Sequence, residues 1–173
     1  FDQEDFAIST RSPVDETSPR CDFSLLKENL TSSASVLDLG GGVGLFSQFI
    51  KGTYRTWNVT HSDLEGKVDP QLKSQGIETR KLNFLEECIG DKDYDLITAW
   101  EVVEHIPYPK LLLFFDNVFK ALKPGAYFVF STPDFDSPLC KTLDFYAAVP
   151  PFHYTVFSEK WLRNFITKIG KWK

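Results

Sequence analysis

One stretch, Ser35 to Gly52, limits what this chain can fold into more than any other. A short apolar run, SVLDL, breaks into four glycines within five positions: Gly40, Gly41, Gly42 and Gly44. A helical pattern follows, with Val43, Phe46, Phe49 and Ile50 on one side and Gly52 as the stop. A buried strand that turns on glycine straight into a helix is the opening of a parallel α/β unit.

The rest of the chain repeats that alternation. Residues 54–63 read as a second strand of β-branched and aromatic residues, 68–75 as a short polar helix and 77–84 as a third strand. The run 94–100 is nearly all apolar, which suits a fourth strand buried on both faces. A strong helix is expected over 109–125, with Pro109 near its start and Lys123-Pro124-Gly125 as its stop. A fifth strand at 126–132 and a last helix at 158–170, capped by Ser158 and Gly170, complete the series. Between them lies a long connection, 133–157, rich in Phe, Tyr and Pro, which suits either a lid over a flat acceptor or a plain cover for the sheet. The expected fold class is α/β: a mostly parallel sheet with right-handed crossovers, taking ligands beyond the carboxyl ends of its strands. Residues 1–20, polar and holding Pro13 and Pro19, are expected as an N-terminal arm before one domain at 21–173, with a short helix at 23–30. With 16 Phe in 173 residues, the core should be Phe-rich.

The glycine loop itself discriminates between ligands. A phosphate loop needs Lys and then Ser or Thr after its last glycine, and here Leu45 and Phe46 follow Gly44. A dinucleotide fingerprint starting at Gly40 or Gly42 would need glycine at Leu45 or Ser47. What stands there instead is Asp38, two residues before the first glycine. Its carboxylate suits a cationic group and repels a diphosphate. Asp63 lies 23 positions after Gly40 at the end of the second strand, the place for an acid that grips ribose hydroxyls. Both acids together ask for a nucleoside bearing an amine or sulfonium, and S-adenosylmethionine is the match.

These residues resemble the class I S-adenosylmethionine-dependent methyltransferases, with VLDLGGGVG like their first motif and HSDLEG like their acidic second-strand end. LNF, YDLITAWEVVEHIPYP and LKPGAYFVFSTPDF are similar to the third-, fourth- and fifth-strand signatures. The resemblance runs from about Phe23 to Gly170 and implies a Rossmann-like three-layer sandwich. It implies that Asp38 and Gly40, Gly41, Gly42 and Gly44 face the methionine part of the cofactor, and that Asp63 binds the ribose. Leu64, Asn83 and Phe84 would contact adenine, and Trp100 and Glu101 would line the floor. Asn83 departs from the commoner Asp. The class usually has seven strands, whereas this chain stops at Gly170-Lys-Trp-Lys, so the last two strands are expected to be missing and the fifth to form an open edge. No Met occurs, even at position 1, which leaves two readings open: a piece of a longer chain, or modified Met residues absent from the sequence.

EVVEHIP brings Glu101, Glu104 and His105 within one turn by spacing, with His153 further on. His105 and His153 are candidate bases for removing an acceptor proton. The same groups, Glu101, Glu104, His105 and His153, are similar to the metal-binding set of small-RNA 2′-O-methyltransferases. They are equally similar to the quinone-pathway O-methyltransferase group, where metal is often absent. His61, inside the second strand, reads as structural. A net charge of −5 without a Lys/Arg run argues against nucleic acid or an anionic membrane as partner. Three widely spaced cysteines and the lack of a long apolar run fit a reducing, cytoplasmic setting. The expectation is therefore methyl transfer to a small-molecule acceptor, favouring oxygen. The alternatives are a metal-assisted RNA enzyme and a non-catalytic S-adenosylmethionine-binding protein. Oligomeric state has no signature in the sequence.

Overall fold

A computed structural model describes residues 30–65, 70–142 and 153–170. The expected arm at 1–20, all of the 23–30 helix except Leu30, and the middle of the 133–157 connection lie outside the described residues. Among the described residues five strands form one sheet: β1 (Ser35–Leu39), β2 (Asn58–Asp63), β3 (Glu78–Lys81), β4 (Tyr94–Trp100) and β5 (Leu122–Ser131). Their order is β3-β2-β1-β4-β5, and every pairing is parallel. The chain builds outward from β1 to β3, then returns to place β4 on the other side of β1. That reversal makes the gap between the β1 and β4 tips the switch point at which such sheets bind ligands.

The helices are α1 (Leu45–Thr53), α2 (Pro70–Ser74), α3 (Leu111–Ala121), α4 (Pro138–Thr142) and α5 (Glu159–Ile169). They cover both faces. Alternation along β1 explains how: Leu37 and Leu39 join Phe114, Phe115 and Val118 of α3 with Leu162 and Ile166 of α5, while Val36 joins Ile50 of α1 and Leu72 of α2. Burying both faces of β1 in this way is the reason the strand is mostly apolar, with Val36, Leu37 and Leu39 all buried. The α3–α5 core is built on aromatic edges, with Phe115 in edge contact with Phe114, Phe128, Phe130 and Phe165 at 5.5 to 6.0 Å.

Several boundaries differ from the expectation, β3 among them, which spans Glu78–Lys81 rather than 77–84. Pro109 sits in a 3₁₀ turn, Tyr108–Lys110, and α3 ends at Ala121 rather than running to Gly125. Its last carbonyls, on Lys120 and Ala121, are taken by the N–H groups of Lys92 and Asp93, and Leu122 turns extended to pair with Tyr94. Pro124 and Gly125 then fall in an irregularity of β5, where the register jumps from Tyr94↔Leu122 to Leu96↔Tyr127. Likewise β2 starts at Asn58, because Tyr54 and Trp57 stack at 4.0 Å in the turn before it. The caps of α5 are as expected: the Ser158 hydroxyl accepts from Trp161 N–H, and Gly170 ends the helix in the left-handed region. β5 has β4 as its sole strand neighbour among the described residues.

Candidate functional site

The glycine loop leaves β1 and crosses the switch point between two rows of side chains. Gly40 backs onto Val102 beyond β4, and Gly44 starts α1 over Leu72. Gly41 admits no side chain at all, since a Cβ there would lie 2.5 Å from Asp38 Oδ2 and 2.6 Å from His61 Nδ1. Gly42 is the opposite case: its φ is +55° and nothing lies within 4 Å of the Cβ position. The loop is held by Gly41 N–H donating to Ser62 O at 3.0 Å and Gly44 N–H donating to Gly41 O at 2.9 Å. Asp63 reaches across from the β2 tip, its Oδ2 accepting from Gly42 N–H at 3.2 Å and its Oδ1 from Glu65 N–H at 2.9 Å. Leu64 beside it is exposed.

Asp38 does not point out of the loop but under it, and it is buried. Ser47 of α1 donates to its Oδ2 at 2.6 Å and Thr98 of β4 donates to its Oδ1 at 3.1 Å. The reason is the strand's period of two: Asp38 shares a face with Val36, and that face is covered by α1. The Asp38 carboxylate therefore lies beneath Gly41, away from the open face of the loop.

Past β3, Asn83 makes a local turn rather than an open contact. Its Oδ1 accepts from Leu85 N–H at 3.3 Å, and its N–H donates to Glu87 Oε1 at 2.8 Å. Phe84 packs edge-on to Phe114 with ring centroids 5.4 Å apart. Trp100, at the β4 tip, meets Phe46 of α1 edge-on at 4.9 Å.

The β4–β5 end is built differently. Glu101 is one of two non-glycine residues with positive φ among the described residues, at +52°. Ser131 of β5 holds it there: Glu101 N–H donates to Ser131 Oγ at 3.1 Å, and Ser131 Oγ donates to Glu101 Oε1 at 2.6 Å. Glu101 thus leaves the turn that spacing predicts, and the following 3₁₀ turn spans Val103–His105. Glu104 is buried, and neither of its carboxyl oxygens has a well-formed hydrogen bond among the described residues. Burial, with the charge of Glu101 adding to it, pushes its carboxyl up to about 8. His153 Nε2 stands 3.9 Å from Glu104 Oε1, and the His153 ring meets the His105 ring at 5.0 Å. Burial and then the neighbouring His105 charge hold the His153 pKa below the usual histidine value. The segment is fastened by Tyr154 and Thr155 N–H groups donating to Glu104 O at 2.9 and 3.0 Å.

The structure therefore gathers three of the four groups in the candidate metal set. Ligand atoms of Glu104, His105 and His153 lie within 4.8 Å of one another, whereas Glu101 is turned to Ser131. Sequence reasoning missed Ser47 and Ser131. Ser131 ends β5, so the rule that residues at strand ends are candidates would have found it. Ser47 carries no such signal, because only packing of α1 on β1 brings it to Asp38.

A five-stranded parallel sheet in this order, covered on both faces and opened by this loop, defines the Rossmann-like fold of class I methyltransferases. The family described as methyltransferase domain matches residues 17–170, and the chain belongs to it. The ubiquinone biosynthesis O-methyltransferase of Rickettsia bellii (strain OSU 85-389) is 33% identical over 109 residues, covering 60% of this chain and 44% of that protein. The malonyl-[acyl-carrier protein] O-methyltransferase 2 of Ilyobacter polytropus is 31% identical over 102 residues, covering 57% and 39%. The chain thus spans less than half the length of these relatives. In fold it is similar to the structure titled PigF with SAH, at TM-score 0.65 and 18% identity over 83% of this chain and 47% of that one. It is also similar to the DhpI-SAM-HEP complex, at TM-score 0.60 and 16% identity over 84% and 74%.

Proposed function

We propose that this chain carries an S-adenosylmethionine-dependent methyltransferase site acting on an oxygen of a small-molecule acceptor. The observation that carries the reading is the open face at Gly42 beside the Asp63 carboxylate, set at the switch point of the sheet. A cofactor fits there because bare backbone faces it and a carboxylate stands within reach of its hydroxyls. Asp63 binds the ribose, exchanging part of its hold on Gly42 for the ligand. Leu64, Asn83 and Phe84 border the adenine, Trp100 and Glu101 the floor, and Gly40 to Gly44 the methionine part. Asp38 acts through the loop it supports.

When bound, S-adenosylmethionine supplies a methyl group on a sulfonium, which is already a strong electrophile. The chain's task is to align the acceptor oxygen with that methyl and to exclude water. His153 accepts the acceptor's proton, directly or through His105, since its lowered pKa keeps it neutral at pH 7. Glu104, with its pKa near 8, is protonated at that pH and adds no charge to the pair. The relatives named O-methyltransferases support an oxygen acceptor. The reading also places the chain in the cytoplasm; Cys88 and Cys140 are free thiols, and no helix among the described residues is long and apolar enough to cross a membrane.

Calorimetry with S-adenosylhomocysteine tests the site. Wild-type protein is expected to bind, and Asp63→Ala to bind at least about tenfold more weakly. No binding by wild type rejects the function, and equal binding by the variant rejects the ribose role. Transfer of labelled methyl to a phenol or carboxylic acid, and not to an RNA oligonucleotide, is the matching activity test.

A further inference from the structure

His61, Asp38 and Thr98 lie in register across β2, β1 and β4, and all three are buried. Ser47 of α1 closes over the row. Its hydroxyl has a single proton, and the 2.6 Å contact gives that proton to Asp38 Oδ2. The Ser47 oxygen can then only accept from His61 Nδ1, which stands 3.1 Å away. His61 and Asp38 are 3.9 Å apart, too far for a direct hydrogen bond, so the serine is the bridge. At the other side of the ring, Nε2 is buried with no hydrogen-bond partner among the described residues. A proton on Nε2 would leave a buried donor unpaired, so both nitrogens select the same tautomer.

We propose that His61 is a positioning residue for the cofactor loop, acting as a neutral Nδ1–H donor that fixes Ser47 and, through it, the Asp38 carboxylate beneath Gly41. The inference rests on reading the glycine loop as the cofactor seat. Gly41 lies directly on this group, which leaves no room for a Cβ, and so the network sets the height of the loop. Serine, histidine and aspartate are also the residues of a nucleophilic triad. Here the serine proton points to the aspartate and the group is sealed from any substrate, which rules out that chemistry.

The tautomer is read by long-range ¹H–¹⁵N NMR of the imidazole in the whole chain. A pyrrole-type Nδ1 and a pyridine-type Nε2 are expected, and the reverse pattern overturns the proposal. Two variants test the function. His61→Asn places an amide N–H near the Nδ1 position, and its affinity for S-adenosylhomocysteine is expected to stay within about threefold of wild type. His61→Leu keeps bulk but loses the donor; it is expected to weaken binding about tenfold and raise the cofactor KM with little change in kcat. Unchanged affinity in His61→Leu, or equal loss in both variants, overturns the donor role. If wild-type protein fails to bind, the cofactor reading falls while the tautomer measurement still decides the network. If His61→Leu does not fold, that measurement and His61→Asn decide it.

Discussion

The two ends of the switch point are made to opposite specifications. At the β1–β2 end each carboxylate is fully engaged: Asp38 by Ser47 and Thr98, Asp63 by Gly42 and Glu65. At the β4–β5 end, Glu101 is held at positive φ, and Glu104 and His153 Nδ1 have no well-formed hydrogen bond among the described residues. Buried polar groups without partners are costly, and strained backbone persists only where its surroundings enforce it. The contrast shows that the end proposed for the cofactor is organised before anything binds, whereas the end proposed for the acceptor keeps polar groups in reserve for a proton or a ligand.

The largest test of that contrast is Gly41→Val. A branched side chain would collide with Asp38 and His61, so S-adenosylhomocysteine binding should fall by about a hundredfold, measured by calorimetry. Binding near the wild-type level would show that the first end is not rigid.

Glu104→Gln probes the second end through pH. A carboxyl whose pKa is raised on folding from 4.5 to about 8 stabilises the fold fully below pH 4.5 and loses that contribution as pH rises toward 8. Thermal melts of wild type should therefore drop from pH 5 to pH 8 more than those of the variant, with the variant ahead by roughly 10 °C at pH 8, since a shift of this size is worth a few kcal/mol. Parallel curves would place Glu104 in the usual carboxylate range.

Ser131→Ala is a smaller change. It frees the Glu101 carboxylate and removes a side-chain acceptor from its N–H. We expect kcat to fall severalfold, roughly 1 kcal/mol of barrier, with a smaller loss of cofactor affinity, since Glu101 also borders the proposed cofactor floor. A loss of cofactor affinity larger than the loss in kcat would mean that the two ends are coupled. The smallest effect should come from Ser158→Ala, at the start of α5. Loss of the α5 cap costs about 1 kcal/mol in thermal unfolding and leaves cofactor binding alone.

Much of this was legible in the residues. β1 and β4 follow from short, mostly apolar runs, because strands buried on both faces are mostly apolar. The α5 caps follow from Ser158 and Gly170, because capping is a contest among a few adjacent backbone groups. Glu101 was not legible. Its spacing to Glu104 and His105 fits a helical turn, but Ser131, thirty residues on, pulls it into another conformation. The end of α3 was misplaced for the same kind of reason: Leu122 finds a partner in Tyr94, and sheet pairing outweighs the helical pattern.

The alternation of strand and helix, the glycine loop, and the acids at Asp38 and Asp63 are all written in local spacing, so the residues alone reveal them. Which way each acid faces depends on the folded arrangement. Asp38 and Asp63 differ by where strand pairing and α1 put them, one sealed beneath the loop and one at its rim. Burial and register are properties of several strands together, and no single segment contains them.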